Sequence, residues 1–220
     1  MRIIVIGSGF VGEAFSLLME GRGNEVFRIS KSGSGKSIGM DVSDLKSVQS
    51  TRDKIGEVDA VIHCASSGSR GQDRNQRYKK VYVDGCWNLS VSFTQSMIVF
   101  VSSSSVYGQN DGSIVDENSK TEPASGTGNL LLEAEEVALN SNGSVARLSG
   151  IYGPNRSYLL KRYLEGDARI DGFSPDADGR WINQIHRDDA AHGIAHILSL
   201  IHISEPTRRY AISYAVFCLK

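Results

Sequence analysis

Cysteine is scarce in this chain. Its 220 residues include three, Cys64, Cys86 and Cys218, and their spacing is that of neither a metal cluster nor a disulfide framework. Reduced thiols and a cytoplasmic location are the expectation. A surplus of one charge is also lacking. Lys and Arg total 24 against 25 Asp and Glu, a net charge of −1, so nothing in the balance points to nucleic acid or an anionic membrane as partner. No apolar run is long enough to span a bilayer. No basic segment with a cleavage site precedes the first strand, so no signal peptide is expected. Internal repeats and low-complexity segments are absent as well. What remains is 40% hydrophobic and 22% charged, the composition of a soluble globular protein with enough chain to bury the core of one domain.

The most informative stretch comes first. Arg2-Ile3-Ile4-Val5-Ile6 is a short, β-branched apolar run that reads as a buried parallel strand. It ends in Gly7-x-Gly9-x-x-Gly12 and opens into a helix over Glu13–Glu20. Gly7 permits a tight turn, Gly9 lets a pyrophosphate approach the backbone, and Gly12 lets the helix pack close to the strand. The helix N-terminus adds free N–H groups and the positive end of a dipole, and Phe10 and Val11, between Gly9 and Gly12, are counted among the cofactor-binding residues. Between a strand and a helix, this spacing points to a dinucleotide.

Further along, Glu25–Ile29 reads as strand two. An acidic residue at its end would hold a ribose 2′-hydroxyl; Ser30-Lys31 stands there instead, with Arg28 and Lys36 nearby. A hydroxyl and cations suit a 2′-phosphate, so NADP is expected over NAD. Asp41, followed by Val42, is placed to meet the adenine amino group, and Asp44 to cap the helix from Leu45. Val58–Ala65 is strand four, and Ala65-Ser66-Ser67-Gly68 at its end falls where open α/β sheets carry ligand loops, with Cys64, Ala65 and Ser66 expected to meet the cofactor. His63, inside that apolar strand, reads as a core histidine.

A helix over Tyr82–Gln95 and strand five over Met97–Val101 follow, the latter ending in Ser102-Ser103-Ser104-Ser105. These hydroxyls suit hydrogen bonding to a carbonyl or hydroxyl substrate. A helix over Leu130–Leu139, strand six over Val145–Leu148, a helix over Tyr158–Leu164, a loop rich in Gly and Asp and a helix from Ala190 complete the pattern. Asp188 is expected to cap that last helix and His186 to anchor its loop, with no metal. Strands and helices alternate throughout, which argues for an α/β doubly wound parallel sheet. The pattern assigns no oligomeric state.

Over residues 1–197 these motifs resemble the extended short-chain dehydrogenase/reductase family, the NAD-dependent epimerase/dehydratases. They include the glycine motif, Asp41-Val42, His63-Cys64-Ala65, Val83–Leu89, Ser102–Gly108, Arg147–Pro154 and Ile185–Asp189, in the family's order. The resemblance implies a Rossmann fold that binds NAD(P) and a small-molecule substrate. It places the family's catalytic serine or threonine at Ser103. It also places the Tyr-x-x-x-Lys pair at Thr127 and Leu131, so the usual pair is missing. An ordinary phenol, with a pKa of about 10, is within reach of tuning by a lysine; an aliphatic hydroxyl beside a leucine is not. The same departure marks an atypical, YeeZ-like branch, which shares SSxSVYGQxDG, TGxxLLxAE and IHRDD stretches (Ser102–Gly112, Thr127–Glu135 and Ile185–Asp189). Ser103, Thr127 and Tyr107 are therefore the candidate catalytic hydroxyls. The expected function is an NAD(P)-dependent oxidoreductase or epimerase/dehydratase on a small, sugar-nucleotide-like substrate. The alternative is a non-catalytic dinucleotide-binding or redox-sensing module.

Residues 198–220 stand apart. Leu198–Arg208 and Ile212–Lys220, separated by Arg209-Tyr210-Ala211, resemble the two constant blocks and the index of a translated sequencing adapter. The expectation is a dinucleotide-binding domain over 1–197, truncated in its C-terminal substrate region and followed by a non-native tail.

Overall fold

The computed structural model describes residues 1–68, 73–166, 182–201 and 218–219. Strand β1 (Arg2–Ile6) leads through the glycine turn into helix α1 (Phe10–Gly21), β2 (Glu25–Ser30) and a two-residue β3 (Ile38–Gly39). Helix α2 (Leu45–Ile55) precedes β4 (Ala60–His63). Helix α3 (Arg74–Tyr78), a π-helical stretch over Lys79–Asp84 and helix α4 (Gly85–Ser92) run on without a break. Strand β5 (Met97–Ser103), helix α5 (Gly126–Asn140) and β6 (Ser144–Leu148) complete a six-stranded parallel sheet in the order β3-β2-β1-β4-β5-β6. This is the doubly wound order of dinucleotide-binding folds, with the switch point between β1 and β4.

The sheet is covered on both sides, which explains why its strands do not alternate in polarity. Ile3 and Val5 of β1 join Phe15 and Met19 of α1 and, from helix α7 (Arg187–Ile201), Ala190, Ile194 and Ile197. Ile4 and Ile6, on the opposite face, pack with Val48 of α2 and Leu89 of α4. Each of these four β1 side chains is at most 2% exposed, a burial worth about 1.5–3 kcal/mol apiece. A third cluster packs Leu131, Ala134 and Ala138 of α5 onto Phe100 and Val145.

A second, smaller sheet was not anticipated from sequence. Strand β7 (Gly150–Tyr152) pairs in parallel with β8 (Ile182–His186), and β8 pairs antiparallel with β9 (Cys218–Leu219). Helix α6 (Tyr158–Leu164) lies between β7 and β8 in the chain, with the bounds expected.

Other expectations are corrected in detail. Helix α1 begins at Phe10 and α5 at Gly126, each several residues early, because Gly9 and Ser125 rather than later residues are their N-caps. Asp44 caps α2, accepting from Lys46 N. Asp188, by contrast, is not a cap. It lies within the first turn of α7, and its N–H donates to His186 Nδ1 at 3.3 Å, so the imidazole does the capping. The Gly- and Asp-rich loop and most of the adapter-like tail lie outside the described residues. Among the described residues no helix is long and apolar enough to cross a membrane.

Candidate functional site

The glycine turn is positioned by the sheet. Gly7 N and Ser8 N both donate to Ile29 O of β2, and Cys64 N donates to Ile6 O. The three glycines have different surroundings. Gly7 has φ +98°, and a Cβ there would come within 2.5 Å of the Ala65 backbone. A Cβ on Gly12 would lie 2.0 Å from Gly7 O and 2.9 Å from Cys64 Sγ. A Cβ on Gly9 would meet nothing within 4 Å. Gly7 and Gly12 therefore make the turn possible, while Gly9 borders open space.

That space is a cleft of about 340 Å³ at the C-terminal ends of β1, β2 and β4, where open α/β sheets hold ligands. Gly7, Gly9, Ser30, Lys31, Asp41, Val42, Ala65 and Ser66 all line it. Phe10, Val11, Gly12 and Cys64 do not: Val11 is buried in the core, and Gly12 and Cys64 pack on Gly7 O from behind. Burial pushes the Cys64 thiol up to about 12, so it carries no thiolate at neutral pH. Ser8, Ser34, Met40 and Val81 also line the cleft. Ser8 could have been found as a variable position of the glycine motif; Val81 arrives from a distant helix and had no sequence signal.

The polar wall is already paired. Lys31 Nζ meets Asp41 Oδ2 at 2.7 Å, and Asp41 Oδ1 accepts from Ser43 N and Oγ. Burial works to raise the Asp41 carboxyl, but Lys31 and the two Ser43 donors outweigh it and hold the group below the usual carboxylate range. Arg28 turns away from the cleft to pair with Glu20 at 2.8 Å, so it is not a candidate for a 2′-phosphate.

Beneath the cleft, His63 is fully buried against Phe100 and Tyr82. Its Nε2 lies 2.9 Å from Val81 O; a carbonyl only accepts, so Nε2 carries the proton and Nδ1 is bare. Burial lowers its pKa to about 4, with the Val81 bond opposing. The core-histidine expectation holds.

The candidate catalytic hydroxyls sit at the end of β5 and the start of α5. Ser103 Oγ accepts from Ser105 N at 3.2 Å, capping a short 3₁₀ turn over Ser104–Val106. Thr127 Oγ1 lies 3.0 Å from Ser125 Oγ, which also accepts from Gly128 N. A Cβ on Gly128 would be 3.2 Å from Ser105 O, so the start of α5 lies directly against the serine turn. Tyr107 is committed elsewhere. Its hydroxyl donates to Asp116 O at 2.8 Å and accepts from Arg147 at 3.0 Å, which makes it a loop anchor rather than a proton donor. Leu131 is 4% exposed within the third core cluster, so no lysine-like group reaches the site from that position.

Sequence reasoning missed the support behind the serine turn. Ser102 Oγ donates to Glu135 Oε1 at 2.5 Å, and Glu135 holds Arg147 through three contacts of 2.6–3.1 Å. Glu135 falls within the helix expected over Leu130–Leu139, where its spacing carries no sign of a buried partner; it is 2% exposed.

The model of the NAD dependent epimerase/dehydratase family matches residues 3–211. No curated protein sequence matches the chain. Among solved structures, the chain is similar to a Methylobacillus flagellatus protein described as an NAD-dependent epimerase/dehydratase, with 25% identity over 97% of this chain and 76% of that one and a TM-score of 0.75. In fold it is also similar to UDP-glucose 4-epimerase from Brucella ovis, solved with NAD (21% identity, 97% and 77% coverage, TM-score 0.75). UDP-glucuronic acid 4-epimerase from Bacillus cereus, also solved with NAD, is a third (22% identity, 90% and 74% coverage, TM-score 0.71). The chain belongs to the NAD dependent epimerase/dehydratase family.

Proposed function

We propose that this chain is an NAD(P)-dependent enzyme of the epimerase or reductase type, acting on a small, sugar-nucleotide-like substrate with altered acid–base chemistry. The observation that carries this is the open space in front of Gly9, bounded by the ends of β1, β2 and β4. A dinucleotide's pyrophosphate fits a backbone approach that any larger residue would block. The nicotinamide, when bound, supplies hydride transfer. The protein's share is binding and proton handling. Gly7, Gly9 and the first N–H groups of α1 hold the phosphates, and Ala65 and Ser66 flank the cofactor. Asp41 and Val42 meet the adenine end.

Lys31, with Ser30, meets a 2′-phosphate by exchanging its Asp41 partner for the phosphate, which is the basis for NADP over NAD. Ser103 hydrogen-bonds the substrate oxygen. With Tyr107 tied to Asp116, the proton of the substrate hydroxyl passes to Thr127 Oγ1 as that oxygen gives its own to Ser125 Oγ and Ser125 gives its own to water, so neither hydroxyl has to ionise. The functional unit is residues 1–197, with 198–220 as a non-native tail. The non-catalytic alternative draws on one observation, the burial of Leu131 where the family's lysine would stand.

The test is incubation of the full chain with NADP⁺ or NAD⁺ and a panel of UDP- and dTDP-sugars, read by nicotinamide absorbance and by NMR of the sugar. Turnover that falls at least tenfold in Ser103→Ala supports the enzyme. Tight cofactor binding with no turnover on any sugar favours the sensing module.

A further inference from the structure

His63 is a costly residue where it stands. The other side chains of β4, Ala60, Val61 and Ile62, are apolar and fully buried, and His63 is buried as completely. Its Nδ1 has no hydrogen-bond partner among the described residues, and an unpaired polar atom in a core costs about 1–3 kcal/mol. A leucine there would carry no such cost. What the imidazole adds is a single bond, donated by Nε2 to Val81 O at 2.9 Å.

That carbonyl belongs to the π-helical stretch over Lys79–Asp84, a geometry that is rare and recurs at functional sites. The Val81 side chain lines the cleft in front of Gly9. A second lining residue is held in the same manner: Val42 O accepts from the buried Asn88 Nδ2 at 2.9 Å. Gly85 lets the two supports meet, since a Cβ there would lie 3.1 Å from His63 Nε2 and 3.2 Å from Val42 Cγ2. Tyr82, next to Val81, adds a third tie. Its hydroxyl accepts from Ser67 N at 3.3 Å, beside the lining residue Ser66. His63, Asn88 and Tyr82 do not line the cleft themselves.

Apolar contact with a flat ring is sensitive to such support. A gap of about 0.5–1 Å between packed surfaces forfeits about a quarter to a half of their dispersion energy, so a valine whose backbone drifts that far loses its hold on a base.

We propose that His63 and Asn88 are positioning residues for dinucleotide binding. Neither touches the ligand. Each fixes the backbone of one valine, and through it the apolar surface that Val81 and Val42 present to the adenine ring. This role rests on the dinucleotide reading of the cleft.

The experiment is a double-mutant cycle on the full chain, read as NADH affinity by nicotinamide fluorescence, with each variant first checked for a cooperative melt. His63→Leu and Val81→Ala are each expected to weaken NADH binding about five- to tenfold. Their combination should lose little more than the larger single loss, because the bond to Val81 O acts through the Val81 side chain; independent residues would lose the product of the two. His63→Gln, whose amide supplies a similar donor, should recover most of the affinity. Asn88→Leu with Val42→Ala repeats the cycle on the second support, and decides the matter if His63→Leu does not fold. A folded His63→Leu or Asn88→Leu variant that binds NADH as the parent does overturns the role of that residue, and so do losses that multiply in its double variant. A folded parent that binds no NADH overturns the dinucleotide reading, and the positioning role with it.

Discussion

Replacing the three glycines of the turn by alanine, one at a time, separates folding from binding. In Gly12→Ala the new methyl would sit 2.0 Å from Gly7 O, a backbone atom, so α1 has to move off the strand. Overpacking of this kind costs about 1–3 kcal/mol, and more where the clash is with backbone. Gly7→Ala combines a left-handed φ of +98° with a 2.5 Å approach to the Ala65 backbone. Strain of about 1–3 kcal/mol adds to the overlap there. A loss of about 3 kcal/mol in either variant lowers the melting temperature by about 6–12 °C in a chain of this size. Gly9→Ala is different, because no atom lies within 4 Å and φ is −90°. The gain of about 0.4–1 kcal/mol from a stiffer unfolded chain roughly cancels the poorer N-cap. Its melting temperature should stay within a few degrees of the parent, while its NADH affinity falls at least tenfold. Thermal denaturation and nicotinamide fluorescence on the same preparations read both quantities. Gly9→Ala that melts as early as Gly12→Ala, or that binds NADH as the parent does, would show that Gly9 does not border the ligand's space.

Three further outcomes follow from buried groups. The folded-state pKa of His63 is lowered to about 4, so its contribution to stability is present above the unfolded value of about 6.5 and is lost as pH falls towards 4. Between pH 7 and 5 this amounts to about 2 kcal/mol, and urea midpoints of His63→Gln should depend less on pH over that range than those of the parent. Glu135→Ala leaves Arg147, 13% exposed, without its carboxylate; a loss of about 3–5 kcal/mol and a weakened Ser102 anchor are expected, measured by denaturation. Restoring the family's pair by Thr127→Tyr and Leu131→Lys places an ammonium where Leu131 is packed against apolar neighbours. Leu131→Lys alone should cost at least about 2 kcal/mol, and gain of reductase activity should require both substitutions together.

The parts of this molecule that were legible in the sequence are those set by local spacing. Ile3-Ile4-Val5-Ile6 announces a strand buried on both faces, and the glycine spacing announces a turn into a helix with Gly9 left open. The cleft residues Ser30, Lys31, Asp41, Val42, Ala65 and Ser66 follow from the ends of successive strands, because parallel topology brings those ends to one edge. What was hidden depends on partners far apart in the chain. The pairing of Lys31 with Asp41, the turning of Arg28 to Glu20, and the ties of Tyr107 to Asp116 and Arg147 each spend a polar group that appears free in sequence. The π-helical stretch over Lys79–Asp84 overlaps the start of the helix expected over Tyr82–Gln95, and its local sequence pattern differs little from that of an α-helix. The second sheet was missed because β7 follows β6 after the single residue Ser149 and finds its partner more than 30 residues later.

The central claim, that the glycine turn and the strand ends around it hold a nicotinamide dinucleotide, is tested most directly by titrating the full chain with NADPH and NADH and following nicotinamide fluorescence. The account predicts that both bind, NADPH more tightly, and that Lys31→Ala removes the difference. A chain that melts cooperatively and binds neither dinucleotide would contradict it.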